Sequence, residues 1–231
     1  MSDFKKQNWS FLLDIALVGG AFGVVPIVLV ALTYPAPLLE QGQAHRIFYL
    51  HVPVAWVALY APLLAAVCGL LYLFLRTEAF DVWCHANVRL ALLFSIGVII
   101  SGMLWASTEW ARGVYWNWAD QRLTSFFVLF LILCGYFLVR YLTDDPSRRA
   151  TYGAFMAILA AAASVLSWFV IRISEPVAHP TPVIGDMSPR IGQTFWLGVL
   201  AFHLLFLAML RLAVRQEWLR RAREALSGSK I

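Results

Sequence analysis

Six long apolar segments constrain the fold of this chain more than any other feature of its sequence. Each is long enough to cross the hydrocarbon core of a bilayer as an α-helix, which takes about 20 mostly apolar residues. A helix also satisfies its own backbone hydrogen bonds where water is absent. We therefore predict an all-α, six-helix membrane bundle in which residues 1–231 form a single membrane domain. The predicted spans are residues 11–32, 47–75, 88–105, 123–142, 151–171 and 193–214.

The composition supports a bilayer environment. Only 13% of the 231 residues are charged and 61% are hydrophobic, whereas soluble domains carry about 25% charged residues. The first apolar segment is longer than the apolar region of a cleavable signal peptide, so we interpret it as the first span. The three cysteines, Cys68, Cys84 and Cys134, form no CxxC motif, and we expect neither a disulfide nor a metal site from them.

The distribution of positive charge predicts the orientation of the bundle. Of the 18 lysines and arginines, 13 would lie on the side of the N-terminus and five on the opposite side. Because positive residues are more frequent in cytoplasmic segments, both termini are predicted to be cytoplasmic. The same placement in short loops accounts for the net charge of +5 without nucleic-acid binding. We expect the C-terminal stretch, residues 211–230, to form an amphipathic helix on the inner membrane surface.

A tryptophan-rich segment, residues 105–124, is predicted to lie on the outer side. It contains four of the ten tryptophans. An interfacial belt would distribute its rings over all helix ends, whereas many rings in one loop, with a few polar groups, are typical of a site for a flat aromatic ligand. Arg112 or Arg122 would pair with carboxylates at the edge of such a ligand. The aromatic residues are Trp105, Trp110, Tyr115, Trp116 and Trp118, and the polar residues include Glu109, Asn117 and Asp120.

Two histidines are predicted to lie on the same side as the tryptophan-rich segment. His51 is at the start of the second span, and His179 is in the third outer segment. An imidazole on each face of a planar macrocycle would supply both axial ligands to an iron ion, so we interpret this pair as the candidate ligands. Taken singly, each histidine also fits an interfacial hydrogen-bonding role. His45 is the reserve ligand because it is close to His51 in the sequence.

Three other ionisable residues have simpler interpretations. His85 is expected to be cytoplasmic and solvated. His203 lies within the sixth span and would either ligate a haem b inside the bundle or pack as a neutral, hydrogen-bonded side chain, and we favour the second. Asp14, near the inner end of the first span, would snorkel or cap. The sequence contains no glycine-rich phosphate loop and no hydrolase triad, so we expect no ATP hydrolysis or other catalysis by this chain.

The tryptophan-rich segment resembles the WWD signature of the haem-handling cytochrome c assembly proteins. Residues 113–124 read Gly-Val-Tyr-Trp-Asn-Trp-Ala-Asp-Gln-Arg-Leu-Thr. They are most similar to the haem exporter protein C (CcmC) branch of the CcmC/CcmF/CcsA family, whose signature ends Trp-x-Trp-Asp-x-Arg-Leu-Thr. The run from His51 to Trp56 resembles the first histidine motif of that branch, and His179 resembles the second histidine site of some members. The resemblance covers roughly residues 10–215.

One residue departs from the family pattern. Family members join the last tryptophan directly to the aspartate, whereas Ala119 separates Trp118 from Asp120 in this chain. In a helical segment, the additional residue would rotate Asp120 relative to the tryptophan rings. This departure leaves the aromatic surface intact and makes the role of Asp120 an open question.

The resemblance implies a function in haem handling. Members of this branch hold haem b as cargo at the periplasmic face of the bacterial inner membrane and deliver it to a periplasmic haem chaperone during cytochrome c maturation. An ATP-binding subunit that hydrolyses ATP, a second membrane subunit and a small membrane peptide complete an ABC-type complex. The implied axial ligands of the haem iron are His51 and His179. The implied haem-contacting residues are Trp105, Trp110, Arg112, Tyr115, Trp116, Trp118, Asp120 and Arg122.

Two alternative functions remain open on the sequence alone. The larger cytochrome c haem lyase or synthase relatives share the signature, but they have a large outer domain and additional spans for which this chain is too short. A membrane b-type cytochrome would need paired histidines buried in opposing helices, and only His203 is predicted to lie deep in a span.

Overall fold

The computed structural model describes residues 12–15, 17–34, 42–109, 113–173 and 187–228, and the structural statements below concern these residues. They form six helices that are long and apolar enough to cross a membrane. The prediction of an all-α, six-helix bundle is therefore confirmed. The helices are α1 (Leu12–Thr33), α2 (Phe48–Leu75), α3 (Glu78–Glu109), α4 (Gln121–Tyr141), α5 (Pro146–Ile173) and α6 (Pro189–Gly228).

α2 lies at the centre of the bundle, where it packs against α3, α5 and α6. Membrane helices approach one another closely where small residues face the contact. A Cβ atom at Gly69 of α2 would lie 3.2 Å from the Cα atom of Ala154 in α5, so this contact depends on glycine. The core between the same helices includes Val57, Ala61 and Ala157, all fully buried.

α3 begins earlier than the hydropathy pattern predicts. Its first residue is Glu78, whereas the predicted span begins at residue 88. The first turn carries Glu78 and Asp81, whose negative charges are favourable at the N-terminus of a helix. The additional turns are therefore helical without being apolar, which a search for apolar runs does not detect.

α6 continues without interruption to Gly228, so it is about 60 Å long at a rise of 1.5 Å per residue. The helix predicted for residues 211–230 is therefore present over the described part of that stretch, where it continues the sixth span. Residues 211–227 contain neither proline nor glycine, so nothing in the sequence interrupts the helix there. Arg220 also pairs with Glu217 and Glu224 at helical spacing, which supports a continuous helix.

The helices alternate in direction, so that their connections lie at two ends of the bundle. The start of α2 lies beside the end of α3, and the end of α4 lies beside the start of α3. We name the first of these the tryptophan end, formed by residues 42–51, 101–109, 113–124 and 187–195. The opposite, arginine end is formed by residues 72–89, 136–151 and 211–228.

An ion-pair network connects three helices at the arginine end. Arg140 of α4 makes a bidentate contact with Asp81 of α3, with Nη1–Oδ1 and Nη2–Oδ2 distances of 2.6 and 3.2 Å. Arg221 of α6 lies 2.5 Å from the same carboxylate and also bonds Glu78 and Glu217. Asp81 is 4% exposed. Because a buried charge is costly without a partner, this network fixes α3, α4 and α6 relative to one another.

Asp14 and His85 have partners that the sequence did not predict. Asp14 of α1 pairs with Arg211 and Arg215 of α6, so the prediction that it only snorkels or caps is wrong. The Nδ1 atom of His85 lies 3.2 Å from the hydroxyl of Tyr136, and the two rings stack. The prediction that His85 is simply solvated is therefore wrong. Both contacts join residues far apart in the sequence, which local patterns do not show.

Candidate functional site

The site at the tryptophan end is built around His51, in the first turn of α2. The Nδ1 atom of His51 lies 2.9 Å from the hydroxyl oxygen of Ser101 in α3. The same hydroxyl lies 2.6 Å from the carbonyl oxygen of Gly97, one helical turn earlier. His51 is half-buried. Its ring is thus held against α3 while part of the residue remains accessible.

Aromatic side chains close one side of His51. The ring of Trp105 in α3 meets it edge-on at a centroid distance of 5.7 Å. Phe48 contacts Trp105 and stacks on Phe195 of α6 at 5.0 Å. Trp105 is only 3% exposed and Phe195 is fully buried. Trp105 therefore acts as a wall that packs against the histidine, and it offers little ring surface for stacking on a ligand.

The remaining described rings of the tryptophan-rich segment form a second, more open cluster. Trp116 and Trp118 lie 5.1 Å apart, and both contact Phe127 of α4. Trp118 is 67% exposed, and more than half of the surface of Tyr115 is exposed as well. The indole nitrogen of Trp116 is buried and has no hydrogen-bond partner within the described part of the chain. Exposed rings beside an unpartnered N–H donor suit a flat ligand with polar groups at its edge.

Two turns hold this open cluster outside the helices. The backbone N–H of Gly113 donates to the carbonyl oxygen of Ser107 at 2.8 Å, and its φ of +86° is a conformation that glycine adopts readily. A second turn contains Trp118 and Ala119, because the N–H of Asp120 donates to the carbonyl oxygen of Asn117 at 3.0 Å. The tryptophan rings are therefore presented from a connection between α3 and α4.

Asp120 is the N-cap of α4. Its carboxylate accepts hydrogen bonds from the backbone N–H groups two and three residues later, at 3.0 and 3.2 Å, which is a favourable arrangement for the first turn of a helix. Ala119 lies in the turn before this helix. The predicted rotation of Asp120 relative to the tryptophan rings assumed a helical segment. It does not arise, because the residues before Asp120 form a turn. Arg122 follows in the first turn of α4 and is half-buried.

The other two candidate histidines, His45 and His203, contact polar groups within the protein. His45 is 2% exposed, with its Nδ1 atom 3.0 Å from the carbonyl oxygen of Gly42 and its Nε2 atom 3.5 Å from the hydroxyl of Tyr49. The Nδ1 atom of His203 lies 2.7 Å from the carbonyl oxygen of Val199. This contact agrees with the hydrogen-bonded packing role predicted for His203. His45 would have to lose its contacts to act as the reserve ligand.

Three predicted site residues, Trp110, Arg112 and His179, lie outside the described residues. The other predicted residues fall into three sets at the tryptophan end. His51 and Trp105 contact one another, and Asp120 and Arg122 begin the helix that follows the open cluster. The open cluster consists of Trp116, Trp118 and Phe127, with the exposed Tyr115 in the same connection.

Two residues of the site were missed by the sequence reasoning. Ser101 contacts His51 directly, and a Cβ atom added to Gly102 would lie 3.2 Å from the Cε1 atom of His51. Both precede Trp105 by about one helical turn, which places them on neighbouring parts of one helix surface. The available signal was a serine followed by a glycine in an otherwise apolar run. The partner of that serine, His51, is 50 residues away in the sequence.

Comparisons with known proteins agree with the resemblance. The heme exporter protein C from Bradyrhizobium diazoefficiens is 30% identical over 186 residues, which cover 79% of this chain and 70% of that protein. The protein of the same name from Rhodobacter capsulatus is 27% identical over 192 residues, with 81% and 78% covered. A putative cytochrome c biosynthesis ccmC-like mitochondrial protein from Arabidopsis thaliana is 25% identical over 219 residues, with 91% and 80% covered.

The family profile extends over nearly all of the sequence. The profile described as heme exporter protein C matches residues 2–228, a range that includes all six helices. This chain therefore belongs to the heme exporter protein C family.

Proposed function

We propose that this chain binds haem at the tryptophan end, with His51 as one axial ligand of the iron, and exports it for cytochrome c maturation. The observation that carries the proposal is the position of His51. Its imidazole is fixed by Ser101 and Trp105 at the same end of the bundle as the exposed ring of Trp118. Imidazole is a common axial ligand of haem iron, and a flat porphyrin is matched by an exposed aromatic surface.

Each described residue of the site has a distinct part in this proposal. Trp118 and Tyr115 supply exposed rings for the porphyrin face, and the buried indole N–H of Trp116 is a donor for a polar group of the ligand. Trp105 supports His51. Asp120 contributes through the N-cap of α4, which follows directly on the turn that carries Trp118.

The proposal also covers three residues outside the described part of the chain, His179, Trp110 and Arg112, and the described Arg122. His179 supplies the second axial ligand, Trp110 adds a further ring, and Arg112 or Arg122 pairs with the carboxylates of the porphyrin. These assignments follow from the family signature and from the side of the membrane on which the sequence predicts these residues.

The cellular setting is proposed on the basis of the family. The named relatives are heme exporters and a cytochrome c biosynthesis protein. We propose a multi-pass protein of the bacterial inner membrane with cytoplasmic termini, whose haem b cargo passes to a periplasmic haem chaperone. An ATP-binding subunit, a second membrane subunit and a small membrane peptide would be its partners, and ATP hydrolysis would occur in the ATP-binding subunit.

Haem spectra of purified variants test this function. The wild-type protein is expected to carry haem, and His51→Ala and His179→Ala should each lose or shift the Soret band because an axial ligand is removed. His203→Ala is the matched control, since His203 packs inside the bundle. Wild-type spectra for both ligand variants would contradict ligation by these residues. Loss of haem in the control variant would instead favour a b-type haem between the helices.

Delivery of the haem is a separate step that needs its own measurement. The wild-type protein, incubated with a purified periplasmic haem chaperone, should transfer haem to it, and His51→Ala should transfer less. Haem attachment to an apocytochrome without any chaperone would point to the synthase alternative instead.

A further inference from the structure

The hydroxyl of Ser101 lies near three polar atoms, of which two are carbonyl oxygens that can accept its proton. The more distant of these carbonyl oxygens, that of Val98, is 3.3 Å away. The Ser101 oxygen is 2.6 Å from the carbonyl oxygen of Gly97 and 2.9 Å from the Nδ1 atom of His51. A serine hydroxyl has one hydrogen to donate and lone pairs with which to accept. A carbonyl oxygen can only accept, and two oxygens at 2.6 Å without a proton between them would repel. The proton of Ser101 therefore lies on the bond to Gly97.

This assignment fixes the proton on the histidine ring. Because the Ser101 hydroxyl donates to Gly97, it accepts from His51, and the Nδ1 atom of His51 carries a hydrogen. In a neutral imidazole the other nitrogen, Nε2, then has the free lone pair. We infer that Ser101 is a positioning residue for haem binding, which holds His51 in the tautomer whose Nε2 atom coordinates iron. The inference rests on the proposed function, since it concerns the ligand that the proposal assigns.

Two neighbours of Ser101 fix the orientation of the same ring. The Cε1 atom of His51 lies close enough to Gly102 that an added Cβ atom would be 3.2 Å away. Trp105 contacts the ring edge-on, with an interplanar angle of 70°. Ser101, Gly102 and Trp105 fall within about one turn of α3, on adjoining parts of its surface. One turn of α3 thus sets both the tautomer and the plane of the imidazole.

The chemical consequence is the usual one for a hydrogen bond behind a metal-binding histidine. A partner on the nitrogen that does not bind the metal orients the ring and increases its basicity, and loss of such a partner typically lowers metal affinity about 10–100-fold. Ser101 does not contact the iron, so its loss should weaken haem binding without abolishing it. Removal of His51 itself should have the larger effect.

The first test compares Ser101→Ala with Ser101→Thr. Ser101→Ala should lower haem affinity about tenfold or more and shift the reduction potential of the bound haem, while Ser101→Thr retains the hydroxyl and should restore both. Ser95→Ala is the matched control on the same helix, because the Ser95 hydroxyl is buried and has no hydrogen-bond partner within the described part of the chain. Unchanged affinity and potential in Ser101→Ala would overturn the inference.

A second test reads the hydrogen bond directly. In His51→Gly, exogenous imidazole can occupy the vacated position, and its N–H can donate to Ser101, whereas 1-methylimidazole has no such hydrogen. Imidazole should therefore restore the haem spectrum at lower concentration than 1-methylimidazole. This preference should shrink in the double variant His51→Gly/Ser101→Ala. An equal preference in both backgrounds would show that Ser101 does not accept this bond.

Failure of the inference and failure of the proposed function give different results. If His51→Ala keeps the wild-type spectrum, His51 is not a ligand and the proposed function loses its main support. If His51→Ala changes the spectrum while Ser101→Ala matches wild type in affinity and potential, ligation stands and the positioning role of Ser101 is wrong.

Discussion

The two ends of the bundle differ in how far their characteristic side chains are buried. At the arginine end, the carboxylate of Asp81 is almost fully buried and is bonded by Arg140 and Arg221 from two other helices. At the tryptophan end, Trp118 and Tyr115 expose more than half of their surface. The buried charged groups of the arginine end are therefore paired within the protein, while the tryptophan end presents rings to its surroundings.

From this difference we expect the arginine end to carry stability and the tryptophan end to carry the proposed binding. A buried charge is tolerated only with a well-placed partner, so the arginine end must be rigid. An exposed tryptophan adds little to the stability of the bundle, but it offers a large, flat surface to a ligand. His51 lies between these extremes, because α3 holds its ring while the residue as a whole is half-buried.

The largest effect on stability is expected from Asp81→Ala. This change leaves the guanidinium of Arg140, which is 8% exposed, without its carboxylate, and breaking a buried pair in this way costs about 3–5 kcal/mol. Thermal or denaturant unfolding in detergent measures the loss.

The control for Asp81→Ala is Glu224→Ala, which removes the exposed partner of Arg220. Because both side chains of that pair are well exposed, the cost should be about 1 kcal/mol or less. Similar losses in the two variants would contradict the view that burial makes the arginine end rigid.

The next prediction compares two tryptophans of the same segment. Trp105→Ala should destabilise the protein by about 3 kcal/mol, because a large buried ring is removed and leaves a cavity. Trp118→Ala should change stability by less than about 1 kcal/mol, since surface substitutions usually have small effects, and yet it should lower haem binding. Unfolding and haem titration of the same preparations separate the two roles. A destabilisation by Trp118→Ala as large as that by Trp105→Ala would contradict the division into wall and open cluster.

The sequence predicted the helices well and the contacts between them poorly. Apolar segments of membrane length identify the six spans because the bilayer sets their length. The same criterion missed the start of α3 at Glu78 and the continuation of α6 to Gly228, since polar residues that pair across helices leave no apolar signal. Long-range partners such as Asp81 with Arg140 became visible only in three dimensions.

The candidate site was predicted unevenly for a similar reason. His51 and the tryptophans stand out as residue types in a motif. Ser101 is one serine in an apolar helix, and its importance depends on a histidine 50 residues away. Asp120 could have been recognised as a helix cap, because an aspartate just before an apolar helix is a common N-terminal signal.

The smallest expected effect concerns Asp120 and separates the cap from a direct role in binding. Asp120→Ala should cost about 1 kcal/mol of stability through the lost N-cap and should weaken haem binding by loosening the turn that carries Trp118. Asp120→Ser keeps an oxygen that can accept from the first turn of α4, so it should recover both properties, as judged by unfolding and haem titration. If Asp120→Ser were as stable as wild type but still deficient in haem, the negative charge itself would act on the ligand. The carboxylate would then keep a role in binding despite the additional residue Ala119. The tryptophan end would in that case depend on charge, as the arginine end does.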